Sequence, residues 1–407
     1  MILLILGGLI CIVVGLYIYA RWNFGTLEKL GIPVVEHHPL LGSVKEMYKE
    51  VGALNDIKWM NKYGPVFGVY EGRYPHIYIC DPELVRLICI KDADHFNGKR
   101  PLDFGDPVLN EMPDFQPLGK WKLIRTFLTP AFSSSKIRSM NTPMRESIKE
   151  YVADLKESIK KTKKGVLEKV AYTFPFLRKF LPSSILNAEA VKRFSIIFKQ
   201  MMEQRRKSGE KKNDVVDMCI EWADKLDTPK MREEGITTTL YYIATNPEIA
   251  KKAYAEVDAV FQRNNGIITH ESIPELVYIN VCINESLRLY PFFYRTEREC
   301  TKEWRNEKYN LTVKKGMIIQ LPSWAANRNP EYNEDPEKYD PERWMPENKD
   351  RINVYSSTSF GHGPRNCIGK SFSTEAMPLL AAYMLRELKF VGRKDSEIKF
   401  KPGGPFF

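Results

Sequence analysis

A mainly helical chain with a small β-rich lobe is what the sequence predicts, and three observations carry the prediction. Apolar residues recur at helical spacing over long stretches, most clearly across residues 370–390 through Phe372, Ala376, Leu379, Leu380, Tyr383 and Leu388. Strand signals are fewer: residues 65–70 and 76–80, separated by Glu71-Gly72-Arg73, read as a hairpin. A glycine-rich stretch, Phe360-Gly361-His362-Gly363-Pro364-Arg365-Asn366-Cys367-Ile368-Gly369, stands immediately before the last long helix.

The chain has 407 residues, 43% of them hydrophobic, which is ample for a large core. Its formal net charge of +10 suits an acidic partner or an anionic membrane face. Nucleic acid is not expected, because neither zinc-ligand spacing nor an aromatic-rich RNA signature is present. The seven cysteines are scattered, odd in number and form no C-x-x-C, which argues against a disulfide framework and for a reducing compartment.

Taken in order, residues 2–20 form an uncharged apolar run ending at Arg21. As a helix it spans roughly 28 Å, enough for a bilayer core, so residues 1–22 are expected to be a transmembrane anchor. Neither a basic leader nor a small-residue cleavage site marks it as a signal peptide. Arg21, Lys29 and Lys45 follow the run, so the body should face the cytosol. Residues 23–44, with Gly31-Ile32-Pro33 and Pro39-Leu40-Leu41-Gly42, read as a stiff linker to a single domain over 45–407. Residues 45–63 read as a helix, and Asp81-Pro82 opens another with a good cap. Trp121 and Arg125 lie four apart and share a helix face. Residues 141–164 and 188–207 read as amphipathic helices, as do residues 274–290, on which Glu285 and Arg288 share a face.

Cys367 lies just before a helix N-terminus, where unpaired N–H groups and the positive helix end favour a thiolate. Flanking glycines let the backbone approach something large and flat, and Arg365 can offer forked donors to a carboxylate. A thiolate beneath a flat ligand with carboxylate arms describes haem with a cysteine axial ligand. The pattern Phe-Gly-x-Gly-x-Arg-x-Cys-x-Gly, complete from Phe360 to Gly369, resembles the haem-binding signature of the cytochrome P-450 family. Trp121-x-x-x-Arg125, Glu285-x-x-Arg288 and Pro341-Glu342-Arg343-Trp344 resemble further motifs of the same family, in the family's order.

The resemblance implies the cytochrome P-450 fold and monooxygenation of a lipophilic small molecule: a xenobiotic, a steroid or a fatty-acid-like compound. It looks most like the microsomal branch that oxidises steroids and xenobiotics, set in the endoplasmic reticulum membrane. Haem b would take its axial thiolate from Cys367, within a loop bounded by Phe360, Gly361, Gly363, Arg365 and Gly369. Trp121, Arg125 and Arg298 would reach its propionates. Glu285, Arg288 and Arg343 would form a buried charge cluster holding the loop. Electrons would come from NADPH through NADPH–cytochrome P-450 reductase, with cytochrome b5 as a second partner.

One segment departs from the pattern. The family's long crossing helix carries an acid followed by an alcohol, whereas Glu234-Gly235-Ile236-Thr237-Thr238-Thr239 puts Thr237 at the acid position and Thr238 at the catalytic alcohol position. Charged residues replace the apolar lead-in, and Thr228-Pro229 reads as a late helix start, so a truncated crossing helix is expected. The alternative reading is therefore a shortened family member that binds haem without coupled turnover, or a relic without haem.

Overall fold

The computed structural model describes residues 2–43, 52–100, 113, 116–162 and 233–392, in which helices dominate and strands gather into a small lobe. The helix expected over 188–207, the late start at Thr228-Pro229, the first residues of the 45–63 helix and the end of the chain lie outside the described residues.

The hairpin forms as β1 (Val66–Glu71) and β2 (Tyr74–Ile79), antiparallel with Val66 opposite Ile79. Gly72 turns it at a φ of 61°, a left-handed conformation that costs glycine nothing. Two strands from far along the chain complete the sheet. β6 (Ile318–Leu321) runs parallel to β2, and β3 (Thr296–Glu299) runs antiparallel to β6, giving the order β1-β2-β6-β3. A separate ribbon pairs β4 (Trp304–Asn306) with β5 (Leu311–Val313).

Alternation along the strands fills both faces of the sheet. Phe67, Val69 and Tyr78 pack on Trp59 and Met60 of α2 (Gly52–Tyr63). Ile77, Ile79, Ile319 and Leu321 pack on Leu84, Val85, Ile88 and Phe96. The Asp81 carboxylate accepts the Leu84 N–H at 2.8 Å and Pro82 occupies the first position of α3 (Pro82–Arg86), which runs on into a π-helical turn at Leu87–Lys91.

The helical side holds α4 (Leu118–Leu128), α5 (Ser134–Thr162), α6 (Glu233–Thr245), α7 (Pro247–Arg263), α8 (Val277–Leu289), a short α9 (Ser323–Asn327) and α10 (Lys370–Glu387). Leu240, Ile243, Val257, Val260, Ile279, Ile283, Leu379 and Tyr383 form one core between α6, α7, α8 and α10. Each fully buried aliphatic side chain there stabilises the fold by about 1.5–3 kcal/mol. Two helices differ from their sequence boundaries. α5 begins at Ser134, before residue 141, and buries Ile137 in its first turns. The 274–290 stretch divides into a 3-10 turn at His270–Glu275 and α8, with Pro274 ending the former. α8 is capped from outside: Glu256 of α7 accepts the Tyr278 and Ile279 N–H groups at 2.6 and 2.9 Å.

At the N-terminus α1 (Ile2–Arg21) is one helix of 20 residues, about 30 Å long, and carries exposed Ile10, Val13 and Leu16. Its described side chains begin at Ile5, and among the described residues no helix is long and apolar enough to cross a membrane. The chain beyond α1 lies along the sheet edge. Val34 bridges Gly68 in parallel, the Val35 N–H donates to the Gly68 carbonyl at 2.9 Å, and Leu27 is fully buried where a side chain on Gly68 would otherwise stand. The edge of β1 is thereby covered.

Candidate active site

The loop before α10 is shaped by its backbone. The Gly361 N–H donates to the Thr358 carbonyl at 2.8 Å, the Cys367 N–H to the Phe360 carbonyl at 2.8 Å and the Asn366 N–H to the Gly363 carbonyl at 3.0 Å. Gly361 and Gly363 take φ values of 67° and 71°. A Cβ on Gly363 would overlap the Cys89 carbonyl oxygen, so the π-helical turn Leu87–Lys91 lies hard against the loop. Phe360 packs into the helical core. Cys367 stays partly exposed, two residues before Gly369, which leads into α10.

Cationic side chains converge here from α4, from β3 and from the loop itself. From α4, Arg125 donates to the Asn366 carbonyl and to its side-chain oxygen, both at 2.6 Å. Trp121, one turn earlier and buried, lies 4.0 Å beneath the Arg365 guanidinium. Arg365, itself buried, donates to the Asn97 carbonyl at 2.9 Å. From β3, Arg298 is buried and donates to the carbonyls of Glu297 at 2.8 Å and His362 at 3.4 Å. Burial pushes the Cys89 thiol above its ordinary pKa, while its contact with the Arg298 guanidinium pulls the other way. Burial also lowers the His362 pKa, helped by Lys370 and Arg298.

Three guanidinium groups thus surround one cysteine loop, and the hydrogen bonds just described hold them to neutral carbonyl and amide oxygens. A ligand with two carboxylate arms, bound through a thiolate, matches that charge, and these residues fit haem.

Glu285, on α8, is completely buried and accepts from five donors. Arg288 gives two bonds of 2.8 Å, Arg343 one of 3.1 Å, the Trp344 indole N–H one of 2.8 Å and the Asp340 N–H one of 2.9 Å. Arg288 donates further to the carbonyls of Asn327 and Lys338. The Ser359 hydroxyl donates to the Leu287 carbonyl at 2.9 Å, tying α8 to the start of the cysteine loop.

The run of three threonines lies on α6. Thr237 is exposed, Thr238 half-buried and Thr239 fully buried. The buried face of α6, with Ile236, Leu240 and Ile243, packs on α8 and α10. Sequence reasoning missed Asn366, the acceptor of Arg125, and Trp344, the third side chain on Glu285. Both adjoin quoted motif residues, and that adjacency was the signal available.

Comparisons with known proteins point to one family. A family model described as Cytochrome P450 matches residues 32–217 and 233–405. Cytochrome P450 3A40 of Oryzias latipes is 28% identical over 471 residues, covering 97% of this chain and 92% of the relative. Cytochrome P450 3A25 of Mus musculus is 27% identical over 462 residues, with 95% and 90% covered. Cytochrome P450 3A7 of Homo sapiens is 28% identical over 464 residues, with the same shares covered. Each alignment is longer than the 407 residues of this chain, so these relatives carry stretches that it lacks.

Proposed function

The chain belongs to the cytochrome P450 family and is a monooxygenase of that family, and from that premise we propose that it inserts one atom of O2 into a lipophilic xenobiotic, steroid or fatty-acid-like compound, with electrons passed from NADPH by a flavoprotein reductase. The convergence of Arg125, Arg298, Arg365 and Trp121 on the loop of Cys367 carries the reading of the site.

Cys367 would supply the thiolate ligand to haem, and Arg125, Arg298, Arg365 and Trp121 would hold its propionates. Haem, when bound, would supply the oxygen-activating chemistry that a thiolate ligand favours. Glu285, Arg288 and Arg343 fix α8 and, through Ser359, the loop that carries Cys367. Thr238 provides a hydroxyl on the crossing helix from which a proton is delivered to the distal side. A basic face suits the acidic surface of NADPH–cytochrome P-450 reductase, and cytochrome b5 is a second donor of the same kind. The exposed apolar side chains of α1 seat the protein on the endoplasmic reticulum membrane, with Arg21 and Lys29 on the cytosolic side. The alternative of a shortened member that binds haem without coupled turnover, or of a relic without haem, finds no support in the comparisons.

The test is a carbon monoxide difference spectrum on reduced full-length protein, followed by turnover with NADPH and reductase. A thiolate-type Soret band and NADPH-dependent oxygenated product are expected. Absence of any haem signal from folded protein overturns the site assignment; a normal spectrum without product under reductase supply overturns the electron route.

A further inference from the structure

We propose that Thr239 and Tyr242 are positioning residues that fix the fine rotation of the crossing helix α6 about its axis, and so set the aim of the Thr238 hydroxyl towards the distal side. The inference rests on the reading of Thr238 as the proton-delivering residue.

The need for such a device is in the sequence. Thr237, Thr238 and Thr239 are chemically identical, and successive helical residues differ by about 100° in direction. A full one-residue turn would carry buried Ile236, Leu240 and Ile243 out of the core, so packing forbids it. Within that limit aliphatic burial is non-directional, and the smaller rotations that re-aim a threonine hydroxyl are opposed chiefly by directional contacts elsewhere on the helix.

Two such contacts lie on one face, three residues apart. The Thr239 hydroxyl donates to Ser286 Oγ at 2.9 Å, entirely inside the protein. Ser286 donates onward to the Cys282 carbonyl at 3.0 Å and lies 3.1 Å from the Tyr339 hydroxyl, which donates to the same carbonyl at 2.8 Å. The Tyr242 ring stacks on Tyr339 with centroids 3.8 Å apart and planes within 6°. Its hydroxyl lies 3.0 Å from that of Tyr290. A hydrogen bond to Ser286 and a ring stacked on Tyr339, both directional, thus clamp one face of α6, with the Tyr242–Tyr290 hydroxyl contact beside them. A valine at 239 would fill the same volume and satisfy the packing, so the hydroxyl is there for direction.

The test combines a direct probe of rotation with coupling measurements, all on full-length holoprotein. In the first, Thr237→Cys and Thr238→Cys are labelled with a maleimide and the rates resolved by peptide mass spectrometry. The exposed position 237 should label faster than the half-buried 238. Adding Thr239→Val or Tyr242→Leu should shrink that ratio by at least about threefold; adding Thr239→Ser should not. In the second, NADPH consumed, peroxide and product are measured together with a promiscuous lipophilic substrate. Thr239→Val and Tyr242→Leu should lower product per NADPH by about tenfold while the carbon monoxide spectrum stays thiolate-type, because small misplacements of a reacting group are costly; Thr239→Ser should restore coupling. Unchanged labelling ratios in both clamp variants overturn the inference, as does unchanged coupling where Thr238→Ala does lower it. If Thr238→Ala leaves coupling intact, the reading of Thr238 fails instead, and the labelling ratios still decide whether the clamp sets the rotation.

Discussion

Glu285 offers the sharpest energetic test of the site. In Glu285→Ala the Arg288 guanidinium, on a side chain only 1% exposed, loses both 2.8 Å bonds and its counter-charge. Breaking a buried pair by removing one partner costs on the order of 3–5 kcal/mol. The Trp344 indole N–H and the Asp340 N–H lose their acceptor as well, at about 1–3 kcal/mol for each buried donor left unpaired. These terms overlap, since all act on one carboxylate. Even the first alone takes much of a domain stability of about 5–15 kcal/mol. Glu285→Ala is therefore expected as aggregate or haem-free protein rather than as a slow enzyme. Arg343→Ala is a milder lesion. Its side chain is 12% exposed, and Glu285 keeps Arg288, Trp344 and the Asp340 N–H. A charge-assisted bond lost at that position costs about 1.5–3 kcal/mol. The assay is the urea midpoint read beside haem occupancy. The expected order of damage is Glu285→Ala, then Arg288→Ala, then Arg343→Ala. A full haem complement and an unmoved midpoint in Arg288→Ala, or an Arg343→Ala variant worse than it, would falsify the account of this cluster.

Cys367→Ser, purified with haem supplied, is predicted to lose the thiolate-type Soret band, whereas Cys300→Ser keeps it; a retained band in the first removes Cys367 as ligand. Gly363→Ala should displace the loop, because its Cβ overlaps the Cys89 carbonyl oxygen and its φ of 71° is unfavourable for alanine; we expect at least about tenfold lower haem occupancy, and normal occupancy would contradict the close contact. Burial depresses the His362 pKa below its ordinary 6.5, so the unfolded chain takes up a proton that the folded loop refuses. The corresponding stability is complete above pH 6.5 and is lost as the pH falls through that value towards the folded pKa. Soret retention followed from pH 7.5 down to about 5 should therefore decline in this window and decline less in His362→Asn; identical profiles would show that His362 does not contribute.

What was legible in the sequence is what local spacing dictates. The hairpin over 66–79, the Asp81 cap and the pairing of Glu285 with Arg288 each follow from residues a few positions apart. What was not legible depends on partners that only the tertiary fold supplies. Glu256 capping α8, Asn366 receiving Arg125 and the packing of Leu27 into the bare side of Gly68 join residues that no periodicity relates. The half-buried network in which Arg100 reaches both Glu71 and Glu297, at 3.1 and 2.8 Å, is of this kind too: it joins the segment after Phe96 to two strands of the sheet.

The glycines of the cysteine loop mark where the two levels meet. From sequence, their absence of side chains reads as clearance for a flat ligand. At Gly363 the structure gives a nearer cause. The crowding atom is the carbonyl of Cys89, on a turn that is π-helical and so one residue wider than an α-helical turn. Gly361 is different: the nearest atoms to a Cβ there are the Asn366 Cα at 3.5 Å and the Arg365 carbonyl at 3.8 Å, so its requirement comes from the φ of 67° and not from space. Two glycines two residues apart thus share a left-handed dihedral, and one of them is needed for a neighbour as well. The loop's height against the π-helical turn is set by backbone contact, and the guanidinium of Arg298 reaches both sides of that contact, Cys89 and the His362 carbonyl. The position of Cys367 is therefore held from two directions, by α8 through Ser359 and by the Leu87–Lys91 turn through Gly363, and a motif read as a binding signature is equally a statement about how one piece of backbone seats on another.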